Sequence, residues 1–195
     1  MKTLLALLQS SRPISWINTA FPFAATYVFF TDTIDLTLII GTLFFLIPYN
    51  LLMYGINDVF DYESDLRNPR KGGIEGALLH PKWHRPTLFW SVALTVPFVA
   101  YLLLQGDVSS KLWLLLFVFT VVAYSAKGLR FKEKPFLDSL TSASHFVGPM
   151  IYGLAPREVA PPGRKKPIMI TPVKRGTVQL GKTLAAIHEV KRDQT

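Results

Sequence analysis

Three aspartates in the run Tyr54-Gly-Ile-Asn57-Asp58-Val-Phe-Asp61-Tyr-Glu-Ser-Asp65 are spaced for one face of a helix. At 100° per residue, Asn50, Tyr54, Asn57, Asp58, Asp61 and Asp65 share an arc of about 100° on a continuous helix. Carboxylates crowded on one arc repel one another unless a cation sits among them. One or two carboxylates, completed by waters and substrate phosphates, are the ligands that Mg²⁺ takes. The spacing therefore predicts Asp58, Asp61 and Asp65 as metal ligands. Directly behind them come Arg67, Asn68, Pro69, Arg70 and Lys71, then two glycines. Acidic metal ligands followed by cations for phosphate oxygens make a diphosphate site. The competing reading is a helix end emerging into water, with solvated acids and snorkelling bases.

A second cluster runs Tyr124-Ser125-Ala-Lys127-Gly-Leu-Arg130-Phe-Lys132-Glu133-Lys134-Pro135-Phe-Leu-Asp138. Four cations around a helix end can clamp a diphosphate, or they can anchor the membrane topology, which suits Lys134 best. His145 follows inside an apolar stretch, where it faces a cavity or simply packs. It is not assigned as a catalytic base.

These clusters need helices to hold them, and the composition says which kind. The chain has 195 residues, of which 50% are hydrophobic and 17% charged, with no cysteine and a mean hydropathy of +0.30. Soluble domains carry about 25% charged residues. An ordinary soluble enzyme, a disordered chain and a disulfide scaffold are therefore disfavoured, and thiolate chemistry is excluded. Five apolar stretches, residues 14–30, 36–56, 87–104, 112–126 and 136–155, approach the roughly 20 residues that a bilayer core requires. The last is the weakest, interrupted by Asp138, a Ser/Thr run and His145. Soluble amphipathic helices show a polar stripe, which these largely lack, so the expected fold class is an all-α polytopic transmembrane bundle.

Charge placement predicts the topology. Lys2 and Arg12 precede the first span, Arg67, Arg70, Lys71, Lys82 and Arg85 lie between the second and third, and the second cluster lies between the fourth and fifth. The alternate connections carry only Asp32 and Asp35, or Asp107 with Lys111. The positive-inside rule then puts the N-terminus and both carboxylate and basic clusters on the cytoplasmic side of a cell (inner) membrane. The apolar run at 4–8 is too short for a signal peptide. Of the net charge of +8, residues 1–155 hold +2, while 156–195 hold +6 in a segment rich in Pro. This tail is expected to be disordered or the product of a truncation or frameshift. It lacks aromatic interleaving, so no nucleic-acid partner is expected.

The pattern Asn57-Asp58-x-x-Asp61-x-x-x-Asp65 resembles the first aspartate-rich motif of the UbiA superfamily of intramembrane prenyltransferases. Ser11-Arg12-Pro13 ahead of the first span is similar to that family. So is the segment Tyr124-Ser125…Arg130-x-Lys132…Pro135-x-x-Asp138. The runs SRPISWINTAFPF, NDVFDYESDLRNPRKGGIEG and KPFLDSLTSASHFVGPMIYG look most like the lycopene-elongase branch, whose enzymes add isoprenoid units to carotenoid ends. The resemblance implies a bundle of about nine spans around a cavity open to lipid, five of them in residues 1–155. It implies Mg²⁺ as cofactor, with an allylic isoprenyl diphosphate and a lipophilic acceptor, such as lycopene, as partners among the membrane lipids. Carried onto this chain, it makes Asn57, Asp58, Asp61 and Asp65 the catalytic metal–diphosphate residues. Arg67, Arg70, Lys127, Arg130 and Lys132 would neutralise the diphosphate, with Tyr124 as a hydrogen-bond donor to it.

The likeness stops at Leu154-Ala155, and no second Asp-x-x-x-Asp follows Asp65. The expectation is the N-terminal half of such an enzyme, with half an active site. Rival readings are an aromatic, quinone-precursor acceptor and a non-enzymatic membrane fragment or helper. A CDP-alcohol phosphotransferase is disfavoured because its Asp-Gly-x-x-Ala-Arg motif is missing, and a soluble isoprenyl-diphosphate synthase because it would not carry spans.

Overall fold

Each of the five apolar stretches folds as helix in the computed structural model, which describes residues 2–69, 71 and 78–155. Arg70 and the 156–195 tail, on which expectations were placed above, lie outside the described residues. In chain order the helices are α1 (Lys2–Ser10), α2 (Trp16–Thr31), α3 (Leu36–Leu46), α4 (Pro48–Phe60), α5 (Tyr62–Asp65), α6 (His84–Gln105), α7 (Val108–Ser125) and α8 (Leu137–Leu154). Among the described residues all regular structure is helical.

Three stretches, Leu36–Phe60, Pro81–Gln105 and Val108–Ser125, are long and apolar enough to cross a membrane. With 16 residues α2 falls short of that length, and Asp138, the Ser/Thr run and His145 dilute α8. The distribution of side chains is that of a protein dissolved in lipid. Phe21, Phe29, Phe89, Val96, Leu112 and Phe119 are exposed, while Thr19, Asn50, Asp58, Ser91, Thr141 and His145 are buried. Exposed apolar area on this scale is costly in water and favourable against acyl chains. The chain is an integral membrane protein.

Short connections are closed by the acidic residues on the sparsely charged side. Asp35 accepts from the Leu38 N–H at 2.9 Å and caps α3, and Asp107 accepts from the Ser110 N–H at 2.8 Å and caps α7. Capping of this kind satisfies orphan donors at a helix start. The bundle packs α2 between α3 and α8, α4 against α6 and α7, and α7 against α8. Phe23, Phe45 and Tyr152 meet in its centre, with ring centroids 5.1 Å (Phe23–Phe45) and 5.8 Å (Phe23–Tyr152) apart. Gly153 lets α8 approach α2 closely, since a Cβ there would lie 2.8 Å from the Phe23 carbonyl oxygen.

The second stretch is not one continuous helix, although the polar arc, from Asn50 onward, begins after the break. It breaks at Ile47 (φ −116°, ψ −63°), because Pro48 has no N–H to continue the ladder. Asn50 turns back into this break. Its Nδ2 donates to the Phe45 and Leu46 carbonyls at 2.8 and 3.1 Å and to Thr19 Oγ1 at 2.7 Å, while Thr19 Oγ1 donates to the Phe45 carbonyl at 2.6 Å. Asn50 is thus a brace for the backbone and leaves the polar arc. A second irregularity falls at Asp61 (φ −101°, ψ 3°). The bonds from Asp61 N–H to the Asn57 carbonyl and from Asp65 N–H to the Asp61 carbonyl persist, so α5 prolongs α4.

Candidate active site

Asp58 is buried at the end of α4 and has two cationic neighbours on one oxygen. Arg12 Nη2 lies 3.1 Å and Lys71 Nζ 3.3 Å from Asp58 Oδ1. Lys71 also reaches Asp65 Oδ2 at 2.7 Å. The Arg12 guanidinium lies over the Tyr54 ring, 4.1 Å from its centroid, a cation–π contact that helps keep it in place. Arg12 belongs to the turn between α1 and α2, and Lys71 to the segment after α5. One carboxylate therefore gathers three separate pieces of chain.

Asp61 collects its partners from α4 itself and from the connection between α7 and α8. Asn57 Nδ2 donates to Asp61 Oδ2 at 2.7 Å and to Ser125 Oγ at 3.0 Å. Lys132 Nζ pairs with Asp61 Oδ2, and Arg130 Nη2 lies 3.5 Å from Asp61 Oδ1. Arg130 sits in the left-handed region (φ 41°) at the start of a 3₁₀ turn, Phe131–Glu133, that brings Lys132 inward. Its guanidinium also pairs with Glu133 at 2.5 Å. That hydrogen-bonded contact holds the Glu133 carboxyl below the ordinary range and raises Arg130.

Beside this network a cavity of about 200 Å³ is lined by Arg12, Tyr54, Asn57, Tyr124, Ser142 and His145, among others. The Tyr124 hydroxyl faces Asp138 and Ser142, and its ring meets the edge of His145 at 5.0 Å. His145 Nε2 approaches the Thr120 carbonyl at 3.5 Å. The two clusters read from the sequence as separate thus border one space.

The structure brings together Asn57, Asp58, Asp61, Asp65, Arg130 and Lys132, with Tyr124 on the adjoining cavity wall. It leaves Arg67 and Lys127 exposed and outside these pairs. Two participants escaped the site prediction. In the sequence Arg12 takes a place in the topology and the resemblance, and Lys71 one in the topology and the basic run behind the aspartates, but neither is singled out as a site residue. The signal for Arg12 was available, because it is the only Lys or Arg between Lys2 and Arg67 and a buried carboxylate demands a counter-ion.

In the structure, Lys and Arg side chains sit among the carboxylates for which Mg²⁺ is expected. No three His, Cys, Asp or Glu side chains among the described residues converge to hold a metal ion. Asp58 Oδ2 and Asp61 Oδ1 are nevertheless buried without a hydrogen bond. Two hard carboxylate oxygens with free lone pairs fit Mg²⁺, which needs only one or two carboxylates and draws its other ligands from water and phosphate.

The UbiA prenyltransferase family profile matches residues 19–159. The chain is 65% identical over 150 residues to the C(50) beta-cyclic carotenoids biosynthesis protein LbtBC of Dietzia sp., covering 77% of this chain and 35% of that one. It is 56% identical over 154 residues to the lycopene elongase/hydratase of Corynebacterium glutamicum, covering 78% and 53%. A lycopene elongase/hydratase of Haloarcula japonica is 34% identical over 161 residues, covering 80% and 53%. The chain spans about half the length, or less, of these curated relatives. No solved structure matches it. The aspartate-rich helix end, the paired basic turn and a family match across well over half the chain agree: this chain belongs to the UbiA prenyltransferase family.

Proposed function

We propose that residues 1–155 form the metal–diphosphate half of an intramembrane prenyltransferase that transfers an isoprenyl group from an allylic diphosphate to a lipophilic acceptor. A carotenoid end such as that of lycopene is the acceptor favoured by the names of the relatives. The observation that carries the reading is the cluster of Asp58, Asp61 and Asp65 interleaved with Arg12, Lys71, Arg130 and Lys132 beside an aromatic-walled cavity.

Asp58 and Asp61, with Asp65 beside them, would hold Mg²⁺, which supplies Lewis-acid charge to the departing diphosphate. Lys71, Arg130 and Lys132 neutralise the negative charge that develops as the allylic C–O bond breaks and its electron pair leaves with the diphosphate. Tyr124 donates to a phosphate oxygen from the cavity wall. The faces of Tyr54 and Tyr124 shelter the allylic cation until the acceptor's π electrons form the new C–C bond, after which the acceptor cation so formed loses a proton to water. The site lies on the cytoplasmic side of the cell membrane in this reading, with the N-terminus on the same side.

The test is transfer of a radiolabelled C5 allylic diphosphate to lycopene in membranes carrying the chain, with and without Mg²⁺. Mg²⁺-dependent transfer that disappears in Asp61→Ala supports the reading. Transfer only to an aromatic acceptor redirects it to quinone precursors. No transfer to any acceptor favours a non-enzymatic helper.

A further inference from the structure

We infer that Arg12 is an exchangeable counter-ion that occupies Asp58 and fastens α1 beside the carboxylates until a divalent cation and a diphosphate arrive together. This rests on the metal–diphosphate reading above and adds to it an order of assembly.

Arg12 is reached through a tightly bonded turn. The Ser11 N–H and Oγ donate to the Leu7 and Leu8 carbonyls at 2.9 and 2.8 Å, and Trp16 Nε1 donates to the Ser11 carbonyl at 3.0 Å. Arg12 itself is left-handed (φ 49°, ψ 75°) ahead of Pro13, and a residue before proline is pushed out of the right-handed helical region. The backbone thus leaves α1 and aims the guanidinium at Asp58 rather than continuing a helix.

The contact it makes is incomplete on both sides. Arg12 Nε is buried without a partner, and so is Asp58 Oδ2. Arg12 and Lys71 share Oδ1 alone, so the pair lacks the two-pronged geometry that makes an Arg–carboxylate contact strong and specific. A buried charge pair with unsatisfied atoms is poorly repaid for its desolvation. It is therefore suited to exchange.

Charge balance sets the order. Arg12 and Lys71 match Asp58 and Asp65 one for one. A divalent cation arriving alone leaves this group with an excess of positive charge and must displace Arg12. A diphosphate arriving with it supplies the missing negative charge and gives Arg12 new oxygens to bond. Metal and diphosphate should then bind synergistically, with Arg12 opposing the first and favouring the pair.

The experiment uses the full chain in lipid nanodiscs and reads Mn²⁺ binding by EPR, alone and with inorganic diphosphate. In the wild type, diphosphate should tighten Mn²⁺ binding at least tenfold. Arg12→Gln should tighten Mn²⁺ binding in the absence of diphosphate about fivefold and shrink the diphosphate enhancement, while Arg12→Lys should behave like the wild type. Unchanged or weaker Mn²⁺ binding in Arg12→Gln overturns the inference, because an arginine that only braces the fold does not compete with a metal. Absence of Mn²⁺ binding under every condition overturns the metal–diphosphate reading itself. Because the chain lacks cysteine, Ser11→Cys, at a position 1% exposed, gives a second readout that keeps Arg12 in place. Its maleimide labelling should accelerate at least threefold with Mg²⁺ alone and fall back when diphosphate is added. A rate indifferent to both ligands overturns the inference.

Discussion

Asn50 and Asp58 lie on the same helix, two turns apart, and both are almost completely buried, yet they solve their burial in opposite ways. Asn50 places its Nδ2 locally, against carbonyls of its own stretch and one threonine of α2, while its Oδ1 stays unpaired. Asp58 is answered from outside its helix, on one oxygen, by cations 46 and 13 residues away in the chain. The Nδ2 of an amide asks for acceptors, which a broken helix provides at once. A carboxylate asks for positive charge, which no helix interior can provide. The first kind of burial fixes the backbone. The second assembles a site from separate pieces and leaves an oxygen free for a ligand.

The sharpest way to break this comparison is to remove the two side chains in turn. Asp58→Ala should lower Mg²⁺-dependent transfer by about a hundredfold or more while the protein still inserts, as read by turnover and membrane fractionation. Equal turnover in mutant and wild type would remove Asp58 from the site. Asn50→Leu should do the reverse. It takes the Nδ2 donor from the Phe45 and Leu46 carbonyls and leaves Phe45 only the Thr19 hydroxyl, so thermal unfolding in detergent should show a loss of about 2 kcal/mol, with turnover per folded molecule little altered.

A smaller effect, again structural, is expected at Gly41, where a Cβ would run into the fully buried Phe23 ring. Gly41→Ala should cost about 1–3 kcal/mol by overpacking, visible as a lowered unfolding temperature with unchanged Mn²⁺ binding. The smallest effect belongs to the exposed Arg130–Glu133 pair. Glu133→Gln should shift Tm by no more than about 1 °C, as solvent-exposed pairs do. The folded pKa of Glu133 is depressed, so the pair contributes above the ordinary glutamate value and is lost as pH falls through the lowered one. A carbon NMR titration of Glu133 should move back toward the ordinary value in Arg130→Gln.

How much of this was legible beforehand follows the same division. The five helical stretches were readable, because lipid requires long apolar runs and backbone bonds closed within each segment. The break at Pro48 is readable in principle, since proline removes a donor, but spacing does not show that the Asn50 amide turns back to the carbonyls before it. Asp35 and Asp107 were read as markers of an uncharged side, and they also cap α3 and α7. Spacing alone groups Asn57, Asp58, Asp61 and Asp65 on one arc. Lys132 and Arg130 were found as a basic cluster, but not as partners of Asp61.

The sequence by itself determined the solvent of this protein, the places where its helices lie, and the carboxylates that no lipid-facing surface would tolerate. Those properties follow from local composition and from periodicities of a few residues. Only the tertiary structure decided which cations answer those carboxylates. Arg12 precedes Asp58 by 46 residues, and Lys132 follows Asp61 by 71, so no helical period connects them. Arg67 and Lys127 carry the same charge as the residues that do engage, and they point into solvent. Charge type is written in the chain, but the pairing of charges depends on where packing brings the helix ends together.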